Sequence, residues 1–254
     1  MTKKVIVVTG ANNGIGFYMT KALLEDGYCV VVLDISDENL IPVKTIYPEQ
    51  LLVFDCDVTD SARVNDTVSS VIEKWGHVDV LVNNACLAIF KPFEQKPLEE
   101  TRREFEVNYF GYVNTIAAVL PYMKSKGKGI IHNVSSGVGI SGFPGIYGYA
   151  STKGAIESLT RTLALEFEKY GICVNLMHPP LTNTKSASPL GIPVQAMDDP
   201  ARVGRNLAKQ ILSTKSVIAS DFRTAVYLFF VYRYPLVLGR LFAKLTESSR
   251  SQEA

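Results

Sequence analysis

The sequence has little net charge, few cysteines, few histidines and no long apolar run, and each scarcity removes a class of function. Lys and Arg total 26 against 25 Asp and Glu, leaving a net charge of +1 over 254 residues. A balance that close gives no broad electrostatic attraction for nucleic acid. The four cysteines, Cys29, Cys56, Cys86 and Cys173, form no Cys-x-x-Cys pair, and none lies at metal-ligand spacing from a histidine. They read as reduced thiols of a cytoplasmic protein, three of them within or beside apolar runs. His77, His132 and His178 fit no metal or catalytic constellation and read as structural. Lys3 and Lys4 precede only four apolar residues, Val5 to Val8, too few for the roughly 7–15 of a secretory signal. The longest apolar candidate, residues 224–232, is bounded by Arg223 and Arg233 and falls short of the ~18 residues of a spanning helix.

Hydrophobic residues nevertheless make up 47% of the chain, and its mean hydropathy is +0.12, which excludes a disordered polypeptide. That apolar surface is arranged as short β-branched runs alternating with longer amphipathic segments. The runs are residues 5–8, 29–33, 51–54, 78–82, 129–134 and 172–177. Helices are expected over 14–26 with Gly27 as C-cap, then over 61–75, 98–124, 149–170 and 200–212. Continuous apolar strands bury both faces, so they belong in a parallel sheet covered by helices. Strand–helix alternation with right-handed crossovers gives an α/β fold with a doubly wound, Rossmann-type parallel sheet, three layers and a single domain. The catalytic domain is expected over 1–215. Within it, 181–200, rich in Pro, Ser, Thr and Asn, reads as a substrate loop.

The first strand runs into Thr9-Gly10-Ala11-Asn12-Asn13-Gly14-Ile15-Gly16, with glycines spaced G-x-x-x-G-x-G. That is neither the G-x-G-x-x-G fingerprint nor a phosphate loop ending in Gly-Lys-Ser/Thr. The physics is shared: glycines admit a phosphate close to the backbone, and the following helix N-terminus offers free N–H groups at its positive end. Asp34 ends the second run, roughly 20 residues on, where a carboxylate accepts from ribose hydroxyls and repels a 2′-phosphate. No Arg or Lys lies between Gly10 and Gly16 or just after Asp34. Both points favour NAD(H) over NADP(H).

The glycine loop, Asn83-Asn84-Ala85, Asn108, Ser136 and Tyr149-Ala-Ser-Thr-Lys153 together resemble the classical short-chain dehydrogenases/reductases over about residues 4–184. The resemblance implies about seven parallel strands, a nicotinamide cofactor, and a homodimer or homotetramer built on the helices near 98–124 and 149–170. It implies adenine contacts from Asp57 and Val58, ribose-side contacts from Asn84 and Ala85, and contacts beside the carboxamide from Pro179 and Thr182. It also has Lys153 holding the nicotinamide ribose, and Asn108 supporting a water-linked proton path to that lysine. Two positions depart from the pattern: Cys86 and Pro180 stand where the family usually has glycine.

The catalytic set is also readable in its own terms. Tyr149 and Lys153 are spaced i, i+4 and share a helix face. A free tyrosine titrates near 10, so an adjacent ammonium is expected to pull the Tyr149 phenol down toward use as general acid and base. Ser136 can hydrogen-bond a substrate oxygen as charge develops; its neighbour Ser135 is the alternative, and the thirteen-residue spacing to Tyr149 favours Ser136. Tyr147 has Ser151 rather than a lysine four residues on.

The extension over 216–254 carries Arg223, Arg233, Arg240 and Lys244 between aromatic and aliphatic runs, with no acid from 223 to 246. Such a tail fits peripheral contact with a membrane surface, a cover for the substrate pocket, or an oligomer interface. It is more like the endings of lipid-handling members of the family than the short glycine-rich ending of many others. The reading is an NAD(H)-dependent oxidoreductase acting on a small lipophilic secondary alcohol or ketone, hydroxysteroid-like. The alternatives are a reductase of sphingoid or acyl-chain ketones or retinoids, and a nucleotide-binding scaffold without turnover.

Overall fold

The computed structural model describes residues 3–252, with side chains through Lys244. Its β-branched runs become seven strands: β1 (Val5–Thr9), β2 (Cys29–Asp34), β3 (Leu51–Asp55), β4 (Val80–Asn83), β5 (Gly129–Val134), β6 (Ile172–His178) and β7 (Val217–Ala219). All pair in parallel in the order β3-β2-β1-β4-β5-β6-β7. The order reverses between β1 and β4, so loops leaving their C-terminal ends part and open a crevice there.

The period of two along each strand sorts its side chains onto two faces. Ile6, Val8, Val30 and Val32 pack under α1 (Gly14–Glu25), α2 (Ile41–Ile46) and α8 (Pro200–Ala208). Val5, Val7, Val31 and Leu33 pack under α3 (Ser61–Trp75), α5 (Gly111–Lys126) and α7 (Tyr147–Phe167). This is the expected three-layer arrangement. The bounds of α3 follow from local chemistry: Asp60 accepts from the Arg63 N–H at its start (3.0 Å), and Gly76 leaves its end at φ +75°.

Elsewhere the chain departs from the periodicity. The helix expected over 98–124 is broken into α4 (Leu98–Phe105), a π turn (Glu106–Phe110) and α5. A π turn inserts one residue and re-aims the faces on either side of it. Asn108 sits in that turn, fully buried. The helix expected over 149–170 begins two residues earlier and ends in a 3₁₀ turn, Glu168–Tyr170. The helix expected to reach 212 stops at Ala208, and α2 has too few apolar positions to be seen by period. The 181–200 loop contains 3₁₀ turns at Ser188–Leu190 and Val194–Ala196, and a bridge from Thr182 to Asp198 pins its ends.

After β7 the chain forms α9 (Phe222–Arg233) and α10 (Pro235–Gln252). Asp221 caps α9 by accepting from the Thr224 N–H (2.8 Å), and a 117° bend separates the two helices. No single described helix is long and apolar enough to cross a membrane. Both helices pack against α6 (Val138–Ser141), which follows β5.

His132 on β5 is fully buried. Its Nε2 lies 2.9 Å from the Ile211 carbonyl, and the Asn175 amide nitrogen approaches Nδ1 at 3.5 Å. Burial disfavours the imidazolium and lowers its pKa from 6.5 to about 4. Between those values the unfolded chain binds the proton and the folded chain does not. Stability is therefore complete above the unfolded value and lost as pH falls toward 4, by up to about 3 kcal/mol for this group. Urea melts of the wild type at pH 7 and pH 4.5 should show this loss, and His132→Asn should flatten it; an unchanged slope in the variant would refute the assignment.

Candidate active site

The crevice at the β1/β4 switch opens into one cavity of about 970 Å³. Its floor is the glycine loop. Gly10 has φ +64°, and a Cβ there would stand 2.5 Å from the Ala85 Cα, so only glycine lets the β1 and β4 loops cross so closely. Thr9 Oγ1 accepts from the Asn84 and Ala85 N–H groups (3.0 Å each), and Asn84 Nδ2 donates back to the Thr9 and Gly10 carbonyls (3.0 and 2.7 Å). Asn13 begins α1 without a side-chain cap, and Asn13, Gly14 and Ile15 of its first turn line the cavity. A Cβ on Gly14 would press on the Thr184 side chain. Glycine cradle, uncapped helix start and free volume together fit a dinucleotide diphosphate.

Most of the sequence candidates reach this cavity. Gly10, Asn13, Gly14, Ile15, Asp34, Asp57, Val58, Asn84, Ala85, Pro179 and Thr182 line it, together with Ser136, Tyr149 and Lys153. Three do not. Asn12 is buried behind the loop: its side chain donates to Ser36 Oγ (2.7 Å) and accepts from the Asn39 N–H (2.9 Å). Gly16 faces Asn84 and the Gly10 carbonyl, where it permits close packing. Asn108 also lies off the cavity wall. Its Oδ1 accepts from the Leu87 N–H (2.7 Å), and its Nδ2 donates to the Leu87 carbonyl (2.8 Å) and Thr152 Oγ1 (3.1 Å). The π turn thus spends this side chain on clamping the post-β4 loop to α7.

Asp34 accepts from the Asn12 N–H (2.8 Å) and the Ser36 N–H (3.3 Å), while burial raises its pKa and outweighs those bonds. Lys153 is almost fully buried and donates to the Val134 carbonyl (2.8 Å) and the Tyr112 hydroxyl (3.4 Å). Its Nζ lies 5.7 Å from the centroid of the Tyr149 ring. The Ser136 hydroxyl neighbours the Tyr149 phenol, whereas Ser135 turns inward beneath α7, toward the Lys153 carbonyl (3.4 Å). The expected lowering of the phenol pKa is not what this geometry gives. Burial, with Cys86 nearby, pushes Tyr149 up to about 12 against the opposing pull of Lys153 and Ser136. The lysine's hydrogen bonds go to Val134 and Tyr112, so its charge acts on Tyr149 only through space.

Tyr147 accepts from Thr101 Oγ1 (2.7 Å) and packs on Phe93, outside the proton chemistry. Cys86 and Pro180 both line the cavity. An apolar wall is made by Leu87, Phe90, Phe143, Ile146, Tyr227 and Phe242; the sequence points to none of the first four, whereas a cover for the substrate pocket is one of the three readings of the tail that supplies the last two. The last two come from α9 and α10, so the tail is part of the cavity. A lone aromatic in a basic, apolar tail carries no sign of which surface it meets.

The model of the short chain dehydrogenase family matches residues 4–192. The chain is 36% identical over 184 residues to a 3-ketodihydrosphingosine reductase of Bacteroides thetaiotaomicron, covering 72% of this chain and 66% of that protein. It is 36% identical over 181 residues to a 3-alpha-(or 20-beta)-hydroxysteroid dehydrogenase of Mycobacterium tuberculosis, covering 71% and 70%. Among solved structures, a short-chain dehydrogenase from Streptomyces avermitilis superimposes with a TM-score of 0.81 at 29% identity, covering 100% of this chain and 98% of that one.

Proposed function

The chain belongs to the short-chain dehydrogenase family, oxidoreductases of CH–OH donors, and from that premise we propose that it interconverts a lipophilic secondary alcohol and its ketone with NAD(H). The observation that carries the reading is the single cavity in which Ser136, Tyr149 and Lys153 face both the glycine cradle and an apolar wall. Gly10, Asn13, Gly14 and Ile15 would hold the diphosphate, with Asp57 and Val58 at the adenine, and Pro179 and Thr182 beside the carboxamide. The chemistry a bound nicotinamide supplies is hydride transfer to or from the substrate carbon.

The protein's own residues handle the oxygen. Ser136 orients the substrate oxygen by hydrogen bonding. Tyr149, holding its proton at neutral pH, donates it to the nascent alkoxide during ketone reduction and takes it back during oxidation. Lys153 supplies positive charge that stabilises the phenolate between these events. Asn108 acts one layer back, by fixing Leu87 against α7.

Asp34 supports NAD(H): it lines the cavity, and the next residues, Ile35 and Ser36, offer no cation to a 2′-phosphate. The apolar wall supports a hydroxysteroid-like substrate or a sphingoid, retinoid or acyl-chain ketone. Cofactor absorbance at 340 nm, followed with NADH and NADPH across those four carbonyl classes, tests the proposal. Turnover with at least one class and at least about tenfold higher kcat/KM with NADH is expected; that ratio corresponds to about 1.4 kcal/mol. Better use of NADPH would overturn the cofactor assignment, and cofactor binding without any turnover would favour a non-catalytic scaffold.

A further inference from the structure

Glu157 lies on α7 one turn beyond Lys153, and its side chain is only 3% exposed. A buried carboxylate persists only if its oxygens are paired. Tyr232 on α9 donates its hydroxyl to Oε2 at 2.6 Å, and Arg161 Nη1 reaches the same oxygen at 3.0 Å. His178 Nε2 stands 2.9 Å from Oε1, and the Ser135 hydroxyl neighbours the same carboxylate. These partners lie on separate elements. His178 ends β6 immediately before Pro179, and Ser135 immediately precedes Ser136.

The α9 helix that Tyr232 anchors carries Tyr227. A Cβ on Gly137 would stand 2.5 Å from Tyr227 Cε1, so the tyrosine ring rests directly on the backbone beside Ser136. Tyr227 packs edge-to-face on Phe242 of α10, ring centroids 5.6 Å apart, and both rings line the cavity. Besides Tyr232, α9 is held by the Asp221 cap, by Tyr227 against Gly137 and by a short row of buried residues, Thr224, Leu228 and Val231.

We propose that Glu157 is a positioning residue that tethers α9 to the catalytic helix, and that Tyr227 and Phe242, so placed, select substrates by the length and bulk of their apolar portion. The proposal rests on the dehydrogenase reading above. It places substrate choice in the tail rather than in the 181–200 loop alone. It also gives the buried Glu157 a role that neither Tyr149 nor Lys153 fills.

The test uses the full-length chain and the variants Tyr232→Phe, Glu157→Gln and Glu157→Ala. Hydrogen–deuterium exchange is read over 222–244, NADH affinity by fluorescence, and steady-state kinetics with 2-butanone and 2-undecanone as short and long ketones. Tyr232→Phe should raise exchange over 222–233 about tenfold, as expected for one lost hydrogen bond to a charged group. NADH affinity and kcat should stay within about twofold, while KM rises about tenfold for 2-undecanone and less than about twofold for 2-butanone. Glu157→Gln keeps an acceptor for Tyr232 and should fall between wild type and Tyr232→Phe, whereas Glu157→Ala should match or exceed Tyr232→Phe. Unchanged exchange in Tyr232→Phe overturns the tether, and an equal rise in KM for both ketones overturns the selection. A wild-type chain that reduces neither ketone nor any carbonyl of the wider panel overturns the dehydrogenase reading and the selection with it, while the exchange result still decides the tether.

Discussion

Tyr149→Phe should lower kcat by about 10²–10⁴-fold, the usual worth of a positioned general acid–base group. The substitution removes only the hydroxyl. The ring keeps its edge contact with Phe90, centroids 6.2 Å apart, and its place beneath the Lys153 ammonium. Stability should therefore change little. NADH affinity should fall by no more than about tenfold, the scale of one hydrogen bond. The size of the kinetic effect follows from the proton's position. At about 12 the phenol is protonated throughout the neutral range, so a ketone reduced in this cavity meets an acid already in place. Stopped-flow and steady-state rates with any substrate found by the carbonyl screen measure the loss; a kcat within twofold of wild type would remove Tyr149 from the mechanism.

The second large effect is on stability, at a site with no part in proton transfer. Lys96 and Glu104 form an ion pair with both side chains fully buried. Lys96 Nζ also donates to the Ile89 carbonyl (2.8 Å), and the Ile89 N–H donates to Glu104 Oε1 (2.8 Å). The pair thus ties the loop that carries Leu87 and Phe90 to α4. Gly148 is forced by it, because a Cβ there would collide with Glu104 Oε2 and crowd Lys96 Nζ. Lys96→Met leaves a buried carboxylate without its counter-charge, at a cost of about 3–5 kcal/mol. For a chain of this size that lowers Tm by about 10 °C. Lys96→Met combined with Glu104→Leu should recover most of the loss, since an apolar pair removes the orphaned charge. Calorimetry of the three proteins decides the point: a Tm for Lys96→Met within about 2 °C of wild type would show that water reaches the pair.

The parts legible in the sequence are those written in short-range chemistry. The β-branched runs specified the strands because a parallel sheet buries both faces. The glycine loop and the Tyr149–Lys153 spacing specified a strand-to-helix turn at the cavity floor and a helix face because each depends on neighbours within one turn. What escaped depends on distant partners. At the π turn Asn108 bonds Leu87 and Thr152, and neither residue is near it in the chain. Asn12 looked like a phosphate contact until the residues after Asp34 claimed it. Lys153 stood at the right spacing to lower the tyrosine's pKa, yet burial dominates. His178 read as a structural histidine, and nothing in its neighbourhood of sequence announces Glu157 or Tyr232.

The position of the cavity wall along the chain has a consequence for synthesis. Chains emerge and fold from the N-terminus, and every candidate cofactor contact precedes residue 183. Tyr227, Tyr232 and Phe242 all lie C-terminal to those contacts and leave the ribosome after them. A nascent chain can therefore assemble the cavity floor, with Leu87, Phe90, Phe143 and Ile146 of the apolar wall, before Tyr227 and Phe242 arrive. A seam near residue 221 then divides the candidate cofactor contacts from the wall residues that α9 and α10 supply.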